Sequence, residues 1–109
     1  SRIYRNQEFS VVGTGIDLHI DESIKRKLLV KHNVECFEVA ECLANVTLGY
    51  LEDTRESHKT NPPTYWFVEQ TDKGRHLFVA FMFIDGQVVL KTAFDATPER
   101  QNLYRKLAS

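Results

Sequence analysis

The dipeptide Asp85-Gly86 constrains this chain more than any other feature, because it separates two mainly apolar runs, residues 75–84 and 87–93. A two-residue link of this kind closes a type I′ hairpin, in which both central positions need positive φ and Asp-Gly accepts it at little steric cost. With that turn in place, Phe83 faces Val88, Phe81 faces Leu90 and Val79 faces Thr92 on one side of the ladder. The other side then holds Met82 with Val89, Ala80 with Lys91 and Phe78 with Ala93, so one lysine stands among apolar neighbours.

The rest of the chain sorts around this hairpin. A further strand over residues 64–70 joins it through Thr71-Asp72-Lys73-Gly74, which pairs Gln70 with Arg75, Glu69 with His76 and Phe67 with Phe78 unless a bulge intervenes. Upstream, Ile16, Leu18 and Ile20 alternate with polar residues as in a half-buried strand, and Asp21 suits the N-cap of a helix over 22–31. Ile24, Leu28 and either Leu29 or Val30 form its apolar side, with Lys25, Arg26, Lys27 and Lys31 on the remainder. Asn33 tolerates the left-handed geometry that ends a helix, and a second helix follows over 35–44, with Phe37, Val39, Ala40 and Leu43 available for burial. Val46 to Leu51 reads as a weak strand and residues 52–63 as a loop. Thr97-Pro98-Glu99 supplies a cap, a proline at the first helical position and an acid for the dipole of a last helix over 98–107. The expectation is an α+β fold: two N-terminal helices, an antiparallel sheet of about four strands and a C-terminal helix. Residues 1–15, ending in Gly13-Thr14-Gly15, read as an N-terminal extension with a short strand near Phe9 to Val12, and residues 16–109 as a single domain.

Composition narrows the function. At 109 residues and 42% hydrophobic, the chain can build one ordinary core. Fourteen basic residues against fifteen acidic ones leave a net charge of −1, so attraction to a polyanion must come from a local patch. The longest apolar run, Leu77 to Ile84, falls well short of the roughly 20 residues of a membrane helix. The N-terminus lacks the pattern of a signal peptide, and a cytoplasmic protein is expected. Cys36 and Cys42 would point about 120° apart on one helix, which suits two buried, reduced thiols better than a disulfide or a metal site. His19, His32 and His58 lack ligand spacing with any Asp, Glu or Cys, and no glycine-rich phosphate loop is present, so neither metal nor cofactor is expected.

The register of the strands then nominates a site. Tyr65, Phe67, Glu69, His76 and Lys91 fall on one sheet face, with Asp95 extending the row. A lysine, a histidine and a carboxylate together can hold a phosphate and move protons, as metal-independent cleavage of RNA requires. Neighbouring aromatic rings can stack bases. The same residues also have a plainer reading, in which Glu69 and His76 form a cross-strand polar pair, Lys91 extends to water and the aromatics pack under a helix.

From Ile20 onward the chain resembles the BrnT family of toxins from bacterial toxin–antitoxin pairs. The resemblance rests on Asp21, on Lys31-His32-Asn33-Val34 with Phe37-Glu38-Val39-Ala40, and on Gly74-Arg75-His76-Leu77-Phe78-Val79. It continues through Thr92-Ala93 and Ala96-Thr97 to Glu99 and Tyr104, covering about four fifths of the chain in order. It implies a RelE-like fold, metal-independent ribonuclease activity, and neutralisation by an antitoxin that binds DNA as a ribbon-helix-helix dimer. With the register and the resemblance taken together, Lys91, His76, Arg75 and Glu69 are the expected catalytic residues, and Tyr65, Phe67 and Lys73 the expected RNA contacts. The chain departs from the family where Phe94 replaces an arginine at the end of the last strand, and where Thr64, Tyr65 and Trp66 lack the arginine usual near the start of the third.

Overall fold

The computed structural model describes residues 6–11 by their backbone, and residues 16–54 and 61–109 with their side chains. Gly13-Thr14-Gly15 and His58 lie outside the described residues. In chain order the elements are β1 (Asn6–Val11), β2 (Ile16–Asp21) and α1 (Glu22–Lys27), which continues as a π-helical segment (Leu28–His32). Then come α2 (Cys36–Asn45), β3 (Leu51–Glu52), β4 (Thr64–Gln70), β5 (His76–Ile84), β6 (Gln87–Asp95) and α3 (Pro98–Ala108). The α+β expectation holds. None of these helices is long and apolar enough to cross a membrane.

The sheet differs from the expected four antiparallel strands. Among the described residues it has six, in the order β1-β2-β6-β5-β4-β3, and it is mixed. β2 runs parallel to β6, pairing Leu18 with Val88 and His19 with Val89. Local alternation marks β2 as a strand but carries no information about its partner. After the helices the chain enters the sheet at its far edge and returns through antiparallel steps, so β6 arrives at β2 pointing the same way. Asn6–Val11, expected within an extension, is a full strand antiparallel to β2. The weak strand expected at Val46 to Leu51 is reduced to Leu51–Glu52, since Val46 caps α2 by donating to Cys42 O and Gly49 turns the backbone at φ 95°.

Both helix stops and starts follow from local chemistry. Asp21 Oδ1 accepts from Ser23 N at 2.9 Å, Asn33 ends the π-helical segment at φ 53°, and Glu35 with Glu38 forms a reciprocal capping box at α2. Leu28, Val39, Cys42 and Leu43 from these segments meet Leu18, Phe67, Val79, Phe81 and Leu90 in the core, which defines the inner face of the sheet. Two residues offered for burial stay outside it: Val30 is 79% exposed and Phe37 56%. α3 lies over the opposite, outer face, where Tyr104 is buried beside Trp66 at 5.9 Å between ring centroids.

The hairpin turns at Asp85 and Gly86 with φ of 51° and 79°, as expected. Its first rungs, Phe83 with Val88, Met82 with Val89 and Phe81 with Leu90, also match. Beyond them the ladder shifts, pairing Ala80 with Thr92, Val79 with Ala93 and Phe78 with Phe94. Lys91 is the extra residue of a β-bulge. A second shift occurs at the preceding turn. Arg75 belongs to that turn and not to β5: its carbonyl accepts from Thr71 N at 2.8 Å and its amide donates to Thr71 Oγ1 at 3.1 Å. Gln70 therefore pairs with His76, Glu69 with Leu77 and Phe67 with Val79.

Candidate functional site

These two shifts separate residues that the sequence places together. Tyr65, Phe67 and Glu69 alternate onto the inner face with Leu77, Val79 and Phe81, whereas His76 lies with Gln70, Val68 and Phe78 on the outer face. Phe67 is wholly buried in the core, and Tyr65 packs its ring against Phe81 and Phe83. Neither is presented to a nucleic acid as a stacking platform. Lys73 is exposed in the turn between β4 and β5. Glu69 reaches the end of the sheet, where its carboxylate accepts from Gln70 N at 2.9 Å, and it borders a small recess of about 150 Å³ with His76, Gln101 and Arg105. Glu69 and His76 are thus still neighbours, but Lys91 is not with them.

Arg75 has a different task. Its Nε donates to Asp95 Oδ1 at 2.7 Å and Nη2 to Asp95 Oδ2 at 3.2 Å, a bidentate pair with the end of β6. Nη2 also donates to His32 O at 2.9 Å, and Nη1 to Asn33 O at 2.8 Å and to Glu38 at 3.1 Å. Every guanidinium nitrogen is engaged. The side chain ties the last carbonyls of the π-helical segment, the first turn of α2 and the edge of β6 into one joint. Hydrogen bonding to Asp95 raises the Arg75 pKa further above its ordinary value, and the same bonds hold the Asp95 carboxyl below the usual carboxylate range. A guanidinium so occupied has no donor left for a scissile phosphate.

Lys91 instead joins a groove between α3 and the outer face. Its ammonium makes a long 3.5 Å hydrogen bond to Thr64 Oγ1, and the side chain is exposed. The floor is an aromatic row drawn from three strands: Trp66 stacks on Phe78 at 5.5 Å and 27°, and Phe78 on Phe94 at 4.8 Å and 17°. Phe94 continues the row to His32, 5.5 Å away. From α3, the Arg100 guanidinium lies over Phe78 at 4.6 Å and Phe94 at 5.7 Å. Two adjoining recesses of about 260 and 220 Å³ share Asp53, Trp66, Phe78 and Arg100; Lys91 lines the second. Asp53 is fixed on the rim by its amide, which donates to Thr64 O at 2.8 Å.

α3 is seated by its own signals. Thr97 Oγ1 accepts from Arg100 N at 3.2 Å, Gln101 Nε2 donates to Ala96 O at 3.0 Å, and the Tyr104 hydroxyl donates to Gly49 O at 2.5 Å. Burial pushes the Tyr104 hydroxyl up to about 12. The helical spacing of Arg100, Tyr104 and Leu107 is the signal from which the groove side of α3 is readable, but it becomes informative only once Trp66 is known to face outward. Trp66, Phe78, Phe94, Arg100 and Asp53 are absent from the residues expected to act, because their juxtaposition depends on the two register shifts.

Compared with protein-family models and with curated proteins, the chain matches none. Among the described residues no group of three or more His, Cys, Asp or Glu side chains is arranged to hold a metal ion.

Proposed function

We propose that the protein is the toxin-type member of a bacterial toxin–antitoxin pair, similar to BrnT and RelE-like in fold, acting in the cytoplasm on RNA. The observation that carries this reading is the groove in which exposed Lys91 and half-buried Arg100 flank the Trp66–Phe78–Phe94 stack. Cations beside aromatic faces are what single-stranded RNA needs, since phosphates take the charge and bases take the rings. Helices over one face and a C-terminal helix over the other are also consistent with a RelE-like arrangement. The proposed antitoxin is a small ribbon-helix-helix protein.

In this reading Lys91 stabilises negative charge on the phosphate, while Glu69 and His76 line a separate recess and take no part in the same step. Incubation of the purified chain with messenger RNA in a chelator is expected to give discrete fragments, and Lys91→Ala to lose them. Intact RNA, together with normal growth of cells expressing the chain, removes the enzymatic reading.

A specific observation favours a second reading, a partner-binding module that does not cleave: Arg75 is committed to the joint with Asp95, Glu38 and the helix end. That version expects a stable complex with a ribbon-helix-helix protein encoded beside it and no fragments. Co-expression of the two followed by size-exclusion chromatography separates the readings.

A further inference from the structure

We infer that the exposed cations of α1 and the π-helical segment, Arg26, Lys27 and Lys31, form a second phosphate-binding surface, onto which an RNA strand lying in the groove continues past His32. The inference rests on the reading of the groove as an RNA site. It starts from charge. The chain as a whole carries −1, yet four cations, Lys25, Arg26, Lys27 and Lys31, crowd into this short stretch. The side chains of Arg26, Lys27 and Lys31 are exposed, and none of the three is engaged in a hydrogen bond or ion pair among the described residues. Arg75, by contrast, is held by Asp95 and Glu38. Like charges four positions apart repel, and a row of phosphates relieves that repulsion.

The helix sets the direction of the surface. Lys27 and Lys31 share a side and form one ridge, with Arg26 beside it. Lys25 is half-buried and its charge bears on the Cys36 thiol, so it lies toward α2. Lys27, two positions on, points about 160° away from Lys25 around the axis. The ridge therefore faces away from α2. The segment ends at His32, whose ring lies 5.5 Å from Phe94 in the aromatic row that floors the groove. Arg75 fixes that end by donating to His32 O. Groove and ridge thus meet at one corner: Phe94 lines the groove with Lys91 and Arg100, and Lys31 adjoins His32 in the chain. A lipid surface is a poorer occupant. Ile24 packs against the core and Leu28 is buried within it, so only Leu29 and Val30 are left to enter a bilayer. An RNA backbone asks for cations alone, whatever its sequence.

The full chain is titrated with labelled tetrauridylate and dodecauridylate over a range of salt, and anisotropy gives the affinities. The slope of log affinity against log salt is the readout, because a longer strand also gains affinity from its extra registers. Each phosphate contact on a single strand contributes about 0.7 to that slope, so the dodecamer is expected to be steeper than the tetramer by about 2. Lys27→Gln with Lys31→Gln is expected to remove about 1.4 of the dodecamer slope and to leave the tetramer unchanged. Lys106→Gln, which removes a charge from α3, is expected to alter neither. Equal slopes for the two lengths on the native chain overturn the ridge and leave the RNA groove standing, and binding to phosphatidylserine vesicles in that case assigns the ridge to lipid. A dodecamer slope that survives the double substitution, or one that Lys106→Gln lowers as much per charge, overturns it too. So does an equal loss at both lengths, since the short strand then sits on the ridge itself. No binding of either RNA overturns the groove as well. The comparison of lengths uses the native chain, so it does not depend on any variant folding.

Discussion

At the residue scale, Arg75 shows how one side chain can look catalytic in a sequence and be structural in the fold. It lies beside His76 within a family-like motif, yet its donors close the ends of two helical segments and β6 at once. Arg75→Ala is expected to cost about 2–3 kcal/mol by urea unfolding, the scale of charge-assisted bonds whose partners are left behind, softened here by partial exposure. A ribonuclease assay on the folded remainder should show little direct loss. Arg75→Lys keeps the charge but not the fork, and is expected to recover a minor part of the stability. Asp95 sets the pH response of this joint. Its carboxyl is depressed in the folded chain, so the stabilisation it brings is complete above the ordinary carboxylate value and is lost as pH falls through the lower folded one. Unfolding midpoints taken from pH 7 down to about 2 should therefore fall more steeply for the parent than for Asp95→Asn, whose side chain does not titrate. Convergence of the two curves at neutral pH instead of acid pH would contradict this sign.

At the scale of elements, most of the chain was legible from its sequence, and the reasons are local. The Asp85-Gly86 turn, the stop at Asn33 and the Thr97-Pro98 start depend on the backbone preferences of one to three residues, and all three appear where expected. What was not legible were the two places where the ladder gains or loses a residue. Counting outward from a turn transmits facing only while pairing stays one to one. Arg75, drawn into the turn by Thr71, and Lys91, bulged out of β6, each break that count. Hence the expected pairing of Lys91 with Ala80 does not form, Thr92 taking that place, and Lys91 stands apart from Tyr65, Phe67 and Glu69. The cap of α3 gives a prediction at this scale. Thr97→Ala removes the acceptor for Arg100 N and is expected to cost about 1 kcal/mol. Hydrogen exchange should quicken for amides of Pro98–Ala108 before those of β5, because α3 buries little besides Tyr104.

At the scale of the whole molecule, the parallel contact between β2 and β6 closes the fold. It joins residues near the two ends of the described chain, while the remaining strand pairs are antiparallel and nearer in sequence. Leu18 sits at this seam, wholly buried against Val88 and the core. Leu18→Ala is expected to lower stability by about 3 kcal/mol in chemical denaturation. Closing a long loop before the seam forms costs entropy, so the same variant should mainly speed unfolding, with little effect on the folding arm of a chevron plot. Removal of residues 1–15 takes away β1 and uncovers the edge of β2. The truncated chain is expected to be less stable and to self-associate in sedimentation, as an unpaired strand edge invites.

The bulge at Lys91 has one more consequence, for chains that differ from this one by a gap. Since Leu90 already faces Phe81, and Thr92 already faces Ala80, removing Lys91 would leave every other rung and every side-chain facing as it is. The lysine is an insert in a ladder that is complete without it, which lets a cation be gained or lost at the groove without the core being renegotiated. An ungapped alignment of this strand with a relative lacking the insert would set residues of one face against residues of the other on one side of Lys91, and the two chains would look less alike than their sheets are.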